Sequence, residues 1–327
     1  MLEHGGRLRA AAQHYGIALS DWLDLSTGIN PHSWPVPTIP PQAWARLPED
    51  DDGLENAACA YYGARSVLAV AGSQAAIQVL PQIRQRSRIA MIAPSYNEHA
   101  HAWRVAGHDV VALPSAQFLE HAAHCDVAVV VQPNNPTGTL FEHDALLKLH
   151  ERLRARNGLL VIDEAFMDAT PQHSFASHAH GLGIVVLRSL GKFFGLAGAR
   201  VGFVLAEAAF LTALRERLGP WAVAGPSRWV ATQALHDTSW HVLTRTRLAT
   251  AHTRLARLLT DHGLTPHGGG ALFQWVCHPR AAALHAELAG RAILTRLFHE
   301  PPSIRFGLPA HERDWQRLAA ALSECRP

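Results

Sequence analysis

Ser189-Leu190-Gly191-Lys192-Phe193-Phe194-Gly195-Leu196-Ala197-Gly198-Ala199-Arg200-Val201-Gly202 sets one lysine among glycines, with a hydroxyl before it and an arginine after it. A lysine that bonds covalently to an aldehyde needs a cramped, partly desolvated position, where the ammonium is disfavoured and the nucleophilic amine is available. The glycines leave room for a cofactor. Ser189 and Arg200 then hold a phosphate between them, the arginine through a forked, charge-assisted contact. The pattern points to pyridoxal phosphate. Taken alone, the stretch also reads as a glycine-rich turn between strands with a surface lysine.

Four upstream segments appear in the order in which a wound α/β sheet brings its strand ends to one crevice. Val70-Ala71-Gly72-Ser73-Gln74-Ala75-Ala76-Ile77 runs from a short apolar strand through a glycine turn into a helix, so free helix amides point at whatever sits above Ser73 and Gln74. Met91-Ile92-Ala93-Pro94-Ser95-Tyr96 ends a buried strand in an aromatic residue fit to stack on a pyridine ring. Val129-Val130-Val131-Gln132-Pro133-Asn134-Asn135-Pro136-Thr137-Gly138 closes an apolar run with a dense turn signal, and Asn135 is the candidate partner for a phenolate oxygen. Leu159-Leu160-Val161-Ile162-Asp163-Glu164-Ala165-Phe166 ends a strand apolar enough to be buried on both faces in a carboxylate. A buried carboxylate needs a cation or a proton, and a pyridinium nitrogen supplies the first. No Walker loop accompanies Asp163, which argues against a nucleotide-bound metal there.

Gly72-Ser73-Gln74, Asn134-Asn135-Pro136-Thr137-Gly138, Asp163-Glu164-Ala165 and the Ser189 to Arg200 segment resemble, in order and spacing, the class I/II aminotransferase superfamily of pyridoxal-phosphate enzymes. The resemblance spans nearly the whole chain. It implies a fold-type I α/β architecture and a homodimer with active sites at the subunit boundary. It also implies that Lys192 carries the cofactor, that Asp163 pairs the pyridine nitrogen and that Asn135 binds the ring oxygen. Within the superfamily, His4-Gly5-Gly6, Leu25-Ser26-Thr27-Gly28-Ile29-Asn30-Pro31, Asp163-Glu164-Ala165-Phe166 and Leu187-Arg188-Ser189-Leu190 are similar to the cobalamin-pathway threonine-phosphate decarboxylases, relatives of histidinol-phosphate aminotransferase.

Two departures from the superfamily pattern stand out. Phe166 takes the place of a tyrosine that would support the ring oxygen, so one hydrogen bond to the cofactor is expected to be missing. Arg46-Leu47-Pro48-Glu49 stands where relatives often have Arg-Tyr-Pro, and Leu47 cannot reach a partner subunit's cofactor phosphate as that tyrosine does.

The 327 residues, 48% of them apolar, suffice for a large core and a second domain. A net charge of +2 and no basic run interleaved with aromatics give no footprint for nucleic acid. Cys59, Cys125, Cys277 and Cys325 are widely spaced with no CxxC pattern, which fits a reduced, cytoplasmic setting. The start lacks the layout of a signal peptide, and apolar runs such as Val127 to Val131 are strand length, far short of the roughly 20 residues of a membrane span. The 22 histidines are scattered, and pairs such as His99 with His101 or His121 with His124 read as surface residues rather than a metal centre.

Residues 1–30 read as an N-terminal arm joining a small domain, with a proline-rich loop from Pro31 to Pro48 leading into the body. Short apolar strands alternate with helical patterns to about residue 205, which predicts a cofactor domain over 31–205 built on a largely parallel sheet. Residues 206–327 read as a smaller α+β domain. It is expected to hold a helical run from about Trp229 to His262, continuous or broken near Asp237, and strands at Leu272 to Cys277 and Ser303 to Phe306.

Arg296 and Arg305 stand at expected strand ends in that domain. A forked guanidinium suits an α-carboxylate, and by its place Arg305 resembles the superfamily's carboxylate-binding arginine. Arg296 and His4 resemble contacts to a substrate phosphate, and Asn30 belongs to the same substrate-binding group by its motif. The resemblance implies decarboxylation of L-threonine O-3-phosphate to (R)-1-amino-2-propanol O-2-phosphate. The alternatives left open are a transaminase for histidinol phosphate or another amino acid, and a non-catalytic cofactor-sensing module.

Overall fold

A computed structural model of the chain describes residues 4–325. Strands Val127–Val131, Leu159–Asp163 and Ile184–Ser189 are buried along their whole length, and their side chains divide by parity. Leu160, Ile162, Ala128, Val130 and Val186 enter one hydrophobic core, whereas Leu159, Val161, Val127, Val129, Val185 and Leu187 enter another. Successive strand residues point to opposite faces, so a sheet that is apolar at every position has to be covered twice. Helices Ser73–Val79, Asn97–Val105 and Ala208–Leu218 cover one face. Leu54–Tyr62, Ser115–Ala122, His143–Arg154 and Gly225–His236 cover the other.

The sheet has seven strands, in the order Val67–Val70, Gly202–Leu205, Ile184–Ser189, Leu159–Asp163, Val127–Val131, Arg88–Ile92, Asp109–Leu113. Only Gly202–Leu205 runs antiparallel to its neighbours. The carboxyl ends of the parallel strands therefore open on one edge, and the loops after Ile92, Val131, Asp163 and Ser189 meet there.

A second, four-stranded antiparallel sheet is formed by Arg296–His299, Pro302–Gly307, Phe273–Cys277 and Gly268–Gly270. The N-terminal segment docks beside it. Leu23–Asp24 pairs in parallel with Ile293–Leu294, and helix Leu8–Tyr15 packs through Leu8, Ala11, Ala12 and Tyr15 on Trp22, Ala289, Ala292 and Leu294.

One detail differs from the sequence expectations, and one alternative left open is decided. The strand expected from Leu272 begins at Phe273 and is preceded by a glycine-only strand, Gly268–Gly270, which β-propensity does not favour. Its glycines answer to packing. A Cβ on Gly268 would lie 2.0 Å from the Thr137 carbonyl oxygen, and one on Gly138 would lie 1.9 Å from the Gly269 carbonyl oxygen. The small sheet thus rests backbone to backbone on the Asn-Asn-Pro-Thr-Gly turn.

The helical run from Trp229 to His262 is two helices, Gly225–His236 and Thr238–Asp261. Asp237 separates them. Its Oδ1 accepts from the Trp240 amide at 3.0 Å as an N-cap, and its Oδ2 accepts from Trp34 Nε1 at 3.0 Å. Loss of a cap typically costs about 1 kcal/mol and loss of a further hydrogen bond a similar amount. Asp237→Ala is accordingly expected to lower unfolding free energy in urea by about 1–2 kcal/mol, with Asp237→Asn closer to the parent.

Candidate active site

Ordered by the sheet edge, the site begins at the turn between strand Val67–Val70 and helix Ser73–Val79. Gly72 has φ +74°, and a Cβ there would lie 2.5 Å from Arg200 Nη2. Only glycine lets the guanidinium lie against this turn. Arg200 itself sits at φ +52° and donates through Nη1 to the Ala197 carbonyl at 3.0 Å, which fixes its direction. Ser73, Ser189 and Arg200 line one cavity of about 130 Å³. They make an end suited to a phosphate.

Asp163 lines the same cavity. It is 3% exposed, accepts the Ala165 amide on Oδ1 at 3.0 Å, and is paired through Oδ2 with His99 Nε2 at 2.8 Å. His99 is 1% exposed. This corrects the reading of His99 as a surface residue. Helix Asn97–Val105 buries His99 and Trp103 at an i,i+4 spacing that marks one helix face, and that spacing was the available signal. Among the described residues no cluster of three or more His, Cys, Asp or Glu side chains is placed to hold a metal ion.

Lys192 lines the cavity as well, and burial pushes its ammonium down to about 8. Arg305 adds to the shift and Asp163 opposes it. A fraction of the uncharged amine is thereby present near neutral pH. Phe166 lies under the lysine, its ring centroid 5.3 Å from Nζ and its edge against Phe273. It supplies apolar floor where a tyrosine would supply a hydroxyl.

Below the carboxyl ends of two strands runs a buried ion network. Arg188 donates through Nη1 to Glu164 Oε2 and through Nη2 to Asp168 Oδ1 at 2.5 Å each, and stacks on Tyr62 at 4.5 Å. Glu164 also accepts from Ser174 Oγ and the Phe175 amide, both at 2.6 Å. Burial pushes the Glu164 carboxyl up, against the pull of Arg188. Because Glu164 follows Asp163 and Arg188 precedes Ser189, this network adds a side-chain tie between two site strands that are already paired in the sheet. Leaving buried charges unpaired costs about 3–5 kcal/mol. Arg188→Ala should lose that much stability by denaturant titration, and Arg188→Met less.

A second cavity of about 210 Å³ adjoins the first and shares Tyr96, Asn135 and Lys192 with it. Arg305 and Arg296, direct cross-strand partners, both line it, as does His4. Arg305 is 6% exposed, donates through Nη1 to Asn135 Oδ1, and donates through Nη2 to the Ser26 carbonyl at 2.6 Å. Its Nε is buried with no partner among the described residues. Burial, with Arg296 nearby, pulls its pKa down to about 10. Such under-neutralised charge favours an arriving anion.

Three expected residues are engaged in hydrogen bonds within the protein. Asn30 does not face either cavity. It is 3% exposed, and its amide is spent on the Phe193 carbonyl at 2.8 Å and the His32 amide at 3.0 Å. With its own amide donating to the Lys192 carbonyl at 3.0 Å, Asn30 braces the lysine loop. Gln74 turns from the helix start to accept from Tyr96 Oη at 3.1 Å and to donate to Glu98 Oε2 at 2.9 Å. His4 lines the cavity but commits Nε2 to Glu98 Oε1 at 2.7 Å. Burial, with Asp163 and Glu98 nearby, pushes the Tyr96 phenol up, so its hydroxyl stays protonated.

The described site thus gathers a lysine with a depressed pKa, a phosphate end, a buried carboxylate and a basic substrate cavity. Residues 42–322 match the family "Aminotransferase class I and II", and the chain belongs to that family. It is 58% identical to the threonine-phosphate decarboxylase of Pseudomonas aeruginosa, over 98% of this chain and 97% of that protein. It is 41% identical to the threonine-phosphate decarboxylase of a Sinorhizobium species, over 98% and 97%. Among solved structures, the histidinol-phosphate aminotransferase of Sinorhizobium meliloti in complex with pyridoxal-5'-phosphate superposes with a TM-score of 0.84 at 19% identity, covering 99% of this chain and 95% of that one. The L-threonine-O-3-phosphate decarboxylase of Porphyromonas gingivalis superposes with a TM-score of 0.78 at 20% identity, covering 92% and 98%.

Proposed function

We propose that the chain is a pyridoxal-phosphate-dependent decarboxylase that converts L-threonine O-3-phosphate to (R)-1-amino-2-propanol O-2-phosphate in cobalamin biosynthesis. The observation that carries the reading is the adjacency of two arginines and Lys192 in one small cavity, in a chain 58% identical to a threonine-phosphate decarboxylase. A phosphorylated amino acid brings two anionic ends, and the cavity offers Arg305 for one and Arg296 with His4 for the other.

The residues present fit the cofactor. Ser73, Ser189 and Arg200 would hold its phosphate beside the turn that only glycine allows. Asp163, already oriented by His99 and the Ala165 amide, would meet the ring nitrogen. Asn135 would meet the ring oxygen, and Tyr96 and Ala165 line the cavity beside the ring. Bound there, pyridoxal phosphate supplies an electron sink for the bond that breaks at Cα.

The protein's own contribution is orientation and proton handling. Arg305 takes the α-carboxylate through its fork, and fixing both ends of the substrate determines which Cα bond stands across the ring. Carbon dioxide leaves when that bond is the one to the carboxylate. Lys192 Nζ, buried and partly uncharged, is positioned to carry the proton that Cα then needs. The apolar floor of Phe166 and Phe273 keeps the Lys192 side of the cavity dry.

A homodimer accompanies this reading. Leu47 and Trp221 are 65% and 59% exposed and line two hollows that both include Pro48, and a covering partner would remove that apolar surface from water. Light scattering is expected to give the mass of two 35.6-kDa chains. All four cysteines are free, in keeping with a reducing, cytoplasmic compartment. Among the described residues no helix is long and apolar enough to cross a membrane.

The direct test is carbon dioxide release from L-threonine O-3-phosphate by the cofactor-loaded protein with no 2-oxo acid present. Sustained turnover is expected. Glutamate formed from histidinol phosphate and 2-oxoglutarate, without gas from the first substrate, would instead make the chain a transaminase. Lys192→Ala should lose borohydride-fixable cofactor and at least about 10²–10⁴-fold in turnover. Because only the uncharged amine bonds to the aldehyde, the rate of cofactor loading should rise with pH through about 8 and level off above it.

A further inference from the structure

The N-terminal arm reaches the cofactor side of the site through one acidic residue that the mechanism above does not use. Glu98 lies in the first turn of helix Asn97–Val105. Its Oε1 is 2.7 Å from His4 Nε2, and its Oε2 accepts from Gln74 Nε2 at 2.9 Å. Gln74 in turn accepts from Tyr96 Oη at 3.1 Å. The imidazole of His4 also approaches the phenol ring of Tyr96, with centroids 6.1 Å apart. A continuous chain of hydrogen bonds therefore links the arm to the ring beside the cofactor cavity.

We propose that Glu98 is a positioning residue that clasps the arm through His4 and registers it to Tyr96 through Gln74, so that arm and phenol close the substrate cavity as a unit. The inference rests on the decarboxylase reading for its kinetic consequence only. Three features favour a clasp over an incidental surface pair. Glu98 is 14% exposed at its side chain against 45% for His4, so the pair is sheltered from water on the carboxylate side only. Both of its oxygens are used, each by a different part of the chain. His4 stands on the wall shared by the substrate cavity and a larger outer hollow of about 580 Å³. With the arm undocked, the two would run together.

The geometry also revises how His4 serves the substrate. Its Nε2 is held by Glu98, so only Nδ1 is left to meet a substrate anion, which it does as a donor when the imidazole carries both protons, and the direction of that nitrogen is set by the clasp. Gly6 supports the same placement, its amide donating to Ser26 Oγ at 2.8 Å. The arm is thus anchored on one side to the segment that carries Asp24 and Ser26 and on the other to the cofactor domain.

Two measurements test the proposal, one independent of catalysis. Trypsin cleavage after Arg7 reports undocking of the arm, since a protease acts on locally opened chain. In the cofactor-loaded protein, Glu98→Ala is expected to speed that cleavage about three- to tenfold, the loss of one or two such bonds, and Glu98→Gln, which keeps an acceptor for the imidazole, less. An unchanged rate in Glu98→Ala overturns the clasp whatever reaction the chain catalyses.

The second measurement is steady-state kinetics with L-threonine O-3-phosphate. Glu98→Ala is expected to raise KM about three- to tenfold while kcat changes much less. The His4→Ala, Glu98→Ala double variant should raise KM by clearly less than the product of the two single effects, because the variants share the His4–Glu98 contact. Additive KM effects, or a fall in kcat at constant KM, would overturn the proposal. Faster trypsin cleavage in a chain that does not decarboxylate would retain the clasp and refute only the substrate assignment.

Discussion

A carboxylate buried at the end of an all-apolar strand is the constraint from which the site is built. Asp163 is 3% exposed, and an ionised carboxylate in such a place is stable only if it is hydrogen-bonded and meets a positive partner. His99 and the Ala165 amide supply the hydrogen bonds. A pyridinium nitrogen would supply the positive charge. The strand cannot move to solvent, because its alternate side chains are committed to two separate cores. The same burial that makes Asp163 costly in isolation drives Lys192 toward its uncharged form. One desolvated pocket therefore prepares both an acid partner for the ring and a nucleophile for the aldehyde.

Support for this pocket comes from beneath and from the side. The Arg188, Glu164 and Asp168 network ties the strand carrying Asp163 to the strand leading to Lys192. Buried ion pairs of this sort do not by themselves argue for stability. Here Glu164 directly follows Asp163 and Arg188 lies four residues before Lys192, so the network joins the segments that carry the two reactive positions. From the side, Gly268 and Gly269 of the small sheet approach Thr137 and Gly138 of the Asn135 turn backbone to backbone, and Arg305 bonds to Asn135. The two sides of the candidate site are thus registered by close backbone packing and by one arginine.

The parts of the site legible in the sequence were those announced by local chemistry. The lysine among glycines, the carboxylate after four apolar residues, and the asparagine in a proline turn each carry their signal within a few positions. The cofactor-domain sheet was legible for the same reason, since apolar strands alternated with amphipathic helices. What escaped was made by contacts distant in sequence. His99 and Asp163 are 64 residues apart, and His4 and Glu98 are 94 apart. Nothing near His99 distinguishes it from the other scattered histidines except its spacing to Trp103. Asn30 also depends on a contact distant in sequence. Its motif placed it with the substrate, whereas its amide is consumed by the lysine loop. The glycine strand at Gly268–Gly270 is invisible to propensity because its reason is the backbone it touches.

The central claim is that the protein holds the substrate so that the bond to the carboxylate, rather than the bond to hydrogen, is the one that breaks. The most direct measurement is the deuterium content of L-threonine O-3-phosphate recovered after partial turnover in heavy water. The account predicts unlabelled residual substrate and a product carrying one deuterium at the carbon that lost carbon dioxide. Deuterium at Cα of the residual substrate, gained faster than gas is released, would contradict it.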